Sequence, residues 1–200
     1  MRNIKGYTEH IKESIYSSIF SYVKHMDARE LESCLRNGEQ NVNARDDFKE
    51  TPLHRVKDLV CAEILVRYGA EVNATSESGE TPLHTLMGLN SGEKYDIAVY
   101  LMENGADPTI RDNSGISPLN LLLLDFSQDQ EDDEGFHWDE QHYEAEETVM
   151  KMIDLGADVL DFDGLKQLER FFKNTGTDWL DSSSRRSLAA KDFSKRAFDV

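Results

Sequence analysis

Cysteine is scarce, with only Cys34 and Cys61 in a chain of 200 residues. Two thiols cannot supply the disulfide framework of a small secreted domain, so both are expected to be buried thiols in a reducing compartment. Long apolar runs are missing too. The longest block, LNLLLLDF from Leu119, is far too short to span a bilayer. The first twenty residues scatter charge through every apolar stretch, which leaves no core for a secretory leader. Positive charge is in deficit, with 22 Lys and Arg against 39 Asp and Glu, and a net charge of −17. Nucleic acid and anionic membrane would both repel such a chain. A partner protein with a basic surface is permitted, although acidity also serves solubility alone. These absences predict a cytoplasmic protein that binds neither nucleic acid nor membrane.

Catalytic motifs are absent as well. There is no G-x-S-x-G elbow, no Gly-rich phosphate loop and no nucleophilic Cys motif. His137 and His142 lie near Glu134, Asp139 and Glu140, but their spacing is not the i,i+4 of a helical metal pair, and no cysteine is nearby. No enzyme activity, metal or cofactor is expected.

What the chain does have is repetition. ETPLH occurs at Glu50 and again at Glu80, and a weaker copy, ISPLN, begins at Ile116. Each copy starts a helix by the same rules. Thr51, Thr81 and Ser117 carry hydroxyls that can cap backbone N–H groups. Pro52, Pro82 and Pro118 follow at the first helical position, where a missing N–H costs nothing. Leu53, Leu83 and Leu119 come next, each with an apolar partner three residues on (Val56, Leu86, Leu122), which puts both on one helix face.

The stops repeat as well. Gly69, Gly105 and Gly156, each followed by Ala, end apolar-periodic stretches, and Gly38 reads as an earlier stop. Glycine there suits the left-handed residue that closes a helix. Turn residues Ser76–Gly79 and Asp112–Gly115 lie between stop and start. His54 and His84 recur with the unit and Asn120 replaces them in the third copy, which fits a structural role better than a catalytic one.

The TPLH start, the GA-x-V-N-A stop and the D-x-x-G turn resemble ankyrin repeats. The resemblance covers roughly 14–160 and is strongest over 46–115. It implies an all-α solenoid of about four helix pairs with hairpin-like connecting loops and helical caps, in which each repeat covers its neighbour's apolar face. The recurring histidine is implied to hydrogen-bond within and between repeats. The expected organisation is an N-terminal cap and degenerate first repeat over 1–45, ankyrin repeats over 46–160, and a C-terminal helical cap with a basic tail over 161–200. The caps are read from Ile11, Ile15, Ile19, Tyr22, Val23, Leu31 and Leu35 at one end. At the other they are read from Leu165, Leu168, Phe171 and Phe172, and then Leu188, Phe193 and Phe198.

The sequence also departs from the family. Thr51 to Gly69 is 18 residues, Thr81 to Gly105 is 24, and Ser117 to Gly156 is 39, against a norm of about 21. The first clear repeat is therefore short by about a helical turn, the second is longer by about as much, and the third carries an insertion. Lys49 stands where the turn glycine belongs. The insertion, 125–147, holds eleven acidic residues and no Lys or Arg. It reads as a solvated loop, or as a contact segment through Phe136, Trp138 and Tyr143 among the acids, or as a segment folding back on the basic tail. Ser182–Ser184 before Arg185 read equally as a modification site or a helix cap.

The resemblance implies a binding scaffold whose partner is another protein. Hairpin tips and the inner helix face would supply the contacts. The tips fall at Arg45, Asp47, Phe48 and Lys49, at Glu77 and Ser78, and at Arg111, Asn113 and Ser114; Arg55, Lys57, Thr85 and Met87 are expected on the inner helices. Phe48 is expected to be exposed, since an aromatic at a turn tip has no core to enter. The preferred reading is a cytosolic adaptor or inhibitor, monomeric when free, that masks a basic surface, as an immunity protein or an effector would. The alternative is a structural array that bridges a larger assembly.

Overall fold

Among the described residues helix follows helix in four successive pairs. The computed structural model describes residues 19–89, 93–127 and 140–157, together with Leu168, Phe171 and Phe172. The described residues are all-α, with no strand among them. In order they form α1 (described over 19–24), α2 (Ala28–Arg36), a 3₁₀ turn (Pro52–Arg55), α3 (Leu59–Arg67), α4 (Pro82–Met87), α5 (Lys94–Glu103), α6 (Pro118–Ser127) and α7 (Glu140–Asp154). The chain divides into two compact units, Met1–Ala106 and Asp107–Val200.

In the first unit, α2 packs on α3, α3 on α5, and the 3₁₀ turn on both α3 and α4. The core is the row of residues that the repeat predicts. Leu53, Val56 and Leu83 are fully buried, as are Ile19, Val23 and Leu31 of α1 and α2, and Leu86 is almost so. Each such leucine contributes roughly 1.5–3 kcal/mol by leaving water. Cys34 in α2 and Cys61 in α3 are buried free thiols, as expected. Burial pushes both thiols up, Cys61 to about 12, where Asp58 adds to the effect. Neither is a nucleophile at neutral pH.

The helix stops are built alike. Gly38, Gly69, Gly105 and Gly156 all have positive φ, between 68° and 98°. At each, the glycine N–H and the next residue's N–H turn back onto the last helical turn; Gly69 donates to the Val66 carbonyl (2.9 Å) and Ala70 to that of Leu65 (2.9 Å). This pair of bonds satisfies carbonyls that a helix end leaves open. Met26 closes α1 in the same way without glycine, at φ 57°.

The length departures take physical form here. The short first repeat loses its turn from the first helix, which is only the 3₁₀ turn before Val56 goes extended (ψ 143°). In the second repeat the extra residues lie between α4 and α5, over 88–93, of which 90–92 are outside the described residues.

In the second unit α6 packs on α7. Leu119, Leu122, Ala145, Val149 and Met152 are buried there, as are Leu168, Phe171 and Phe172 of the expected C-terminal cap. Phe171 and Phe172 meet edge to face, with ring centroids 5.4 Å apart. The acidic segment 125–147 is less of a loop than its composition suggests, since 125–127 belong to α6 and 140–147 to α7. Ile11, Ile15, Leu165, Leu188, Phe193, Phe198 and the basic tail lie outside the described residues.

Candidate functional site

The connectors between helix pairs are three copies of one turn. At the first, Asp46 donates its N–H to the Glu50 carbonyl (3.0 Å), and its own carbonyl accepts from Lys49 N–H (3.0 Å). Its carboxylate Oδ1 accepts from the N–H groups of Phe48 (2.9 Å) and Glu50 (3.0 Å). Asp112 does the same for Ser114 and Ile116, at 2.8 Å each. Ser76 stands in for the aspartate in the middle copy, its hydroxyl accepting from Glu80 N–H (3.2 Å). The turn ends on a left-handed residue: Lys49 at φ 59°, Gly79 at 82° and Gly115 at 80°.

Arginines brace two of these turns. Arg45 Nη1 donates to the Lys49 carbonyl (2.8 Å) and to the Thr75 carbonyl (2.7 Å), so it ties one turn to the next. Arg111 Nη1 makes the equivalent bond to the Gly115 carbonyl (2.7 Å). Neighbouring turns in the first unit also bond directly, Glu77 N–H donating to the Phe48 carbonyl (2.8 Å). Asparagines extend this ladder. Asn43 donates to the Gly69 carbonyl (3.1 Å) and accepts from Glu71 N–H (2.9 Å), and Asn73 donates to the Gly105 carbonyl (2.8 Å).

The TPLH histidines join repeats from inside. Thr51 N–H donates to His54 Nδ1 (3.0 Å), so that nitrogen carries no proton. The ring proton therefore sits on Nε2, which donates to the Glu80 carbonyl of the next repeat (3.0 Å). The expected bonding within and between repeats is what His54 makes. Burial, the largest cause, holds its pKa below the usual histidine range. At the third start Asn120 Oδ1 takes over the Nδ1 part, accepting from the Ser117 hydroxyl (2.9 Å) and N–H (3.3 Å).

Against this frame the sequence-predicted surface residues separate into three sets. Asp47, Phe48, Lys49, Lys57, Glu77, Ser78 and Asn113 are exposed. Phe48, expected at the surface, is 63% exposed. Arg45, Arg55, Thr85 and Arg111 are tied into the scaffold: Arg55 pairs with Asp46 (2.9 Å) and Glu50, and the Thr85 hydroxyl donates to the His54 carbonyl (3.0 Å). Met87 is the correction. It is 1% exposed and belongs to the core, because α4 continues helically through it and turns it inward. Lys57, the equivalent residue 30 positions earlier, is exposed because its repeat has already left the helix. Phe136 and Trp138 lie outside the described residues.

Asn43, Asn73, Asp46 and Glu93 escaped the sequence reading as structural residues. Glu93 Oε2 caps the N-terminus of α3 by accepting from Leu59 N–H (2.9 Å). The asparagines left a signal, the repeated V-N-A; Glu93 left none, since its partner is 34 residues away.

Among the described residues no group of three or more His, Cys, Asp or Glu could hold a metal ion, and no helix is long and apolar enough to cross a membrane. No curated protein matches the chain. A family model, ankyrin repeats in three copies, matches residues 22–112. That range runs from Tyr22 in α1 through Arg111 and Asp112, and the bonds of the first two turns and of His54 described above fall within it. Residues 22–112 of this chain are an ankyrin-repeat domain, a protein–protein interaction module.

Proposed function

We propose that this chain is a cytosolic adaptor or inhibitor, monomeric when free, that works by masking a basic surface on one partner protein. The observation that carries this reading is where the charge lies. Residues 68–157 hold twenty acidic and three basic side chains, so the whole net charge of −17 falls in this stretch, while the remainder of the chain is balanced. Such a field steers a basic partner toward the later repeats and raises the association rate more than the affinity. Two buried free thiols support a reducing compartment. The contact residues we assign are the exposed tip positions Asp47, Phe48, Lys49, Glu77, Ser78 and Asn113, with Lys57 beside them.

The test is kinetic. With a captured and purified partner, the association rate is expected to fall at least tenfold between about 20 mM and 500 mM salt, as screening shortens the reach of the field. A rate that barely responds to salt would favour an array that bridges a larger assembly through apolar contact.

A further inference from the structure

We infer that Phe48 and Lys49 are the anchor of the interface, the phenyl ring entering an apolar pocket on the partner and the Lys49 ammonium meeting a carboxylate at that pocket's rim. This rests on the protein-binding reading and deepens it.

Three observations meet at this one turn. The first is substitution within the repeat. The three turns read Asp47-Phe48-Lys49, Glu77-Ser78-Gly79 and Asn113-Ser114-Gly115, so both departures from a small, polar, glycine-ended tip fall side by side in one copy. The second is strain. Lys49 holds φ 59° where the other two copies use glycine, and a left-handed conformation is unfavourable for any side-chain-bearing residue of this type. The Lys49 N–H and carbonyl are held by the Asp46 carbonyl (3.0 Å) and Arg45 Nη1 (2.8 Å), but Gly115 makes the same two bonds with Asp112 and Arg111 without a side chain. The Lys49 ammonium lies 3.7 Å from Glu77 with both side chains 63% exposed, and a pair so hydrated contributes little. Strain retained without structural return is a pointer to function.

The third observation is preorganisation. Phe48 is the most exposed large hydrophobic residue among those described, yet its backbone is held on both sides. Its N–H is bound by Asp46 Oδ1 and its carbonyl by Glu77 N–H, and the Lys49 N–H is bound by the Asp46 carbonyl. A ring on a fixed pedestal loses little freedom on binding, which is the economy that interface aromatics exploit. The partner's chemistry follows from what is offered. A phenyl ring gains by leaving water, and an ammonium whose pair with Glu77 is solvent-exposed is within reach of a carboxylate on the partner. The anchor thus reads the opposite sign from the chain's acidic stretch, and a partner satisfying both carries an acidic-rimmed apolar pocket as well as a basic surface.

The experiment titrates one purified partner, first identified by capture on the wild-type chain, with wild type, Phe48→Ala and Lys49→Gly. Phe48→Ala is expected to keep the wild-type Tm and to weaken binding about a hundredfold. Lys49→Gly is expected to raise Tm by about 2–4 °C as strain is released and to weaken binding about tenfold. A variant that grows more stable and binds less well is the signature of strain kept for function. Wild-type affinity in Phe48→Ala overturns the anchor but leaves the scaffold intact, and a lowered Tm in that variant places the ring in packing and also overturns it. A stabilised Lys49→Gly with unchanged affinity removes lysine from the anchor. Failure to find any saturable protein partner would remove the scaffold reading itself.

Discussion

The first and second clear repeats spell the same five residues and make the same internal bonds, yet their next four residues diverge. After His54 the chain reads Arg-Val-Lys-Asp and leaves the helix; after His84 it reads Thr-Leu-Met-Gly and stays in it. Arg55 reaches across the surface to Asp46 and Glu50, whereas Thr85 reaches back to the His54 carbonyl. Lys57 is exposed and Met87 buried. The difference separates two layers of specification. What holds repeat to repeat (leucine, histidine and the glycine stop) is common to both. What faces outward is rewritten, and in the first repeat even the regular first helix has been given up.

The strongest challenge to that separation is the core. Leu53 and Leu83 are both fully buried, one in a 3₁₀ turn and one in an α-helix. If the shared layer is equal in the two repeats, Leu53→Ala and Leu83→Ala each cost about 2–4 kcal/mol in denaturant unfolding. A cost below about 1 kcal/mol for Leu53→Ala alone would mean that the short turn is a loosely held appendage and the comparison fails.

The histidine tests the joint between the two repeats. His54→Asn keeps an acceptor for Thr51, as Asn120 does for Ser117, but is too short to reach the Glu80 carbonyl. The expected loss is about 1–2 kcal/mol at pH 7.5. The pH dependence sharpens it. Burial depresses the folded-state pKa of His54 below its unfolded value near 6.5, so the unfolded chain binds the proton more readily. The stability this neutral histidine supplies is complete above that value and is lost as pH falls from about 6.5 through the folded pKa. Unfolding free energies measured from pH 7.5 downward should fall more steeply in wild type than in His54→Asn. Parallel curves would mean that His54 keeps its ordinary proton affinity in the fold.

The two layers were not equally legible. Leu53, Leu83, the prolines and the glycine stops recur at fixed offsets, and a recurrence reports a local backbone requirement that sequence states directly. The all-α repeat fold and the exposure of Phe48 followed from such local rules. Met87 did not. Its inward direction depends on whether the chain remains helical for one more residue, and Thr-Leu-Met-Gly does not announce that. Arg45 at a tip and Arg55 on an inner helix suggest contact residues in the sequence, because a long cationic side chain at either place looks available. Their engagement with Thr75 and Asp46 depends on three-dimensional neighbours across 30 and 9 positions. The cross-repeat cap from Glu93 to Leu59 was invisible for the same reason.

The smallest expected effect concerns that outward layer. Arg55 pairs with Asp46 and Glu50, but burial wins at Glu50, whose carboxyl is pushed up from its usual range even though Arg55 pulls it down. Arg55→Ala removes the opposing cation, so the Glu50 titration followed by NMR should move higher still. The stability cost stays below about 1 kcal/mol, since the arginine side chain is 46% exposed and hydrated pairs contribute little. It should shrink further at high salt. Thr85→Ala makes the matched substitution in the second repeat, and its cost should not respond to salt, because a neutral hydroxyl–carbonyl bond is not screened. If both costs fell together with salt, the two repeats would share one electrostatic outer layer, and the distinction between a fixed frame and a rewritten surface would have to be drawn elsewhere.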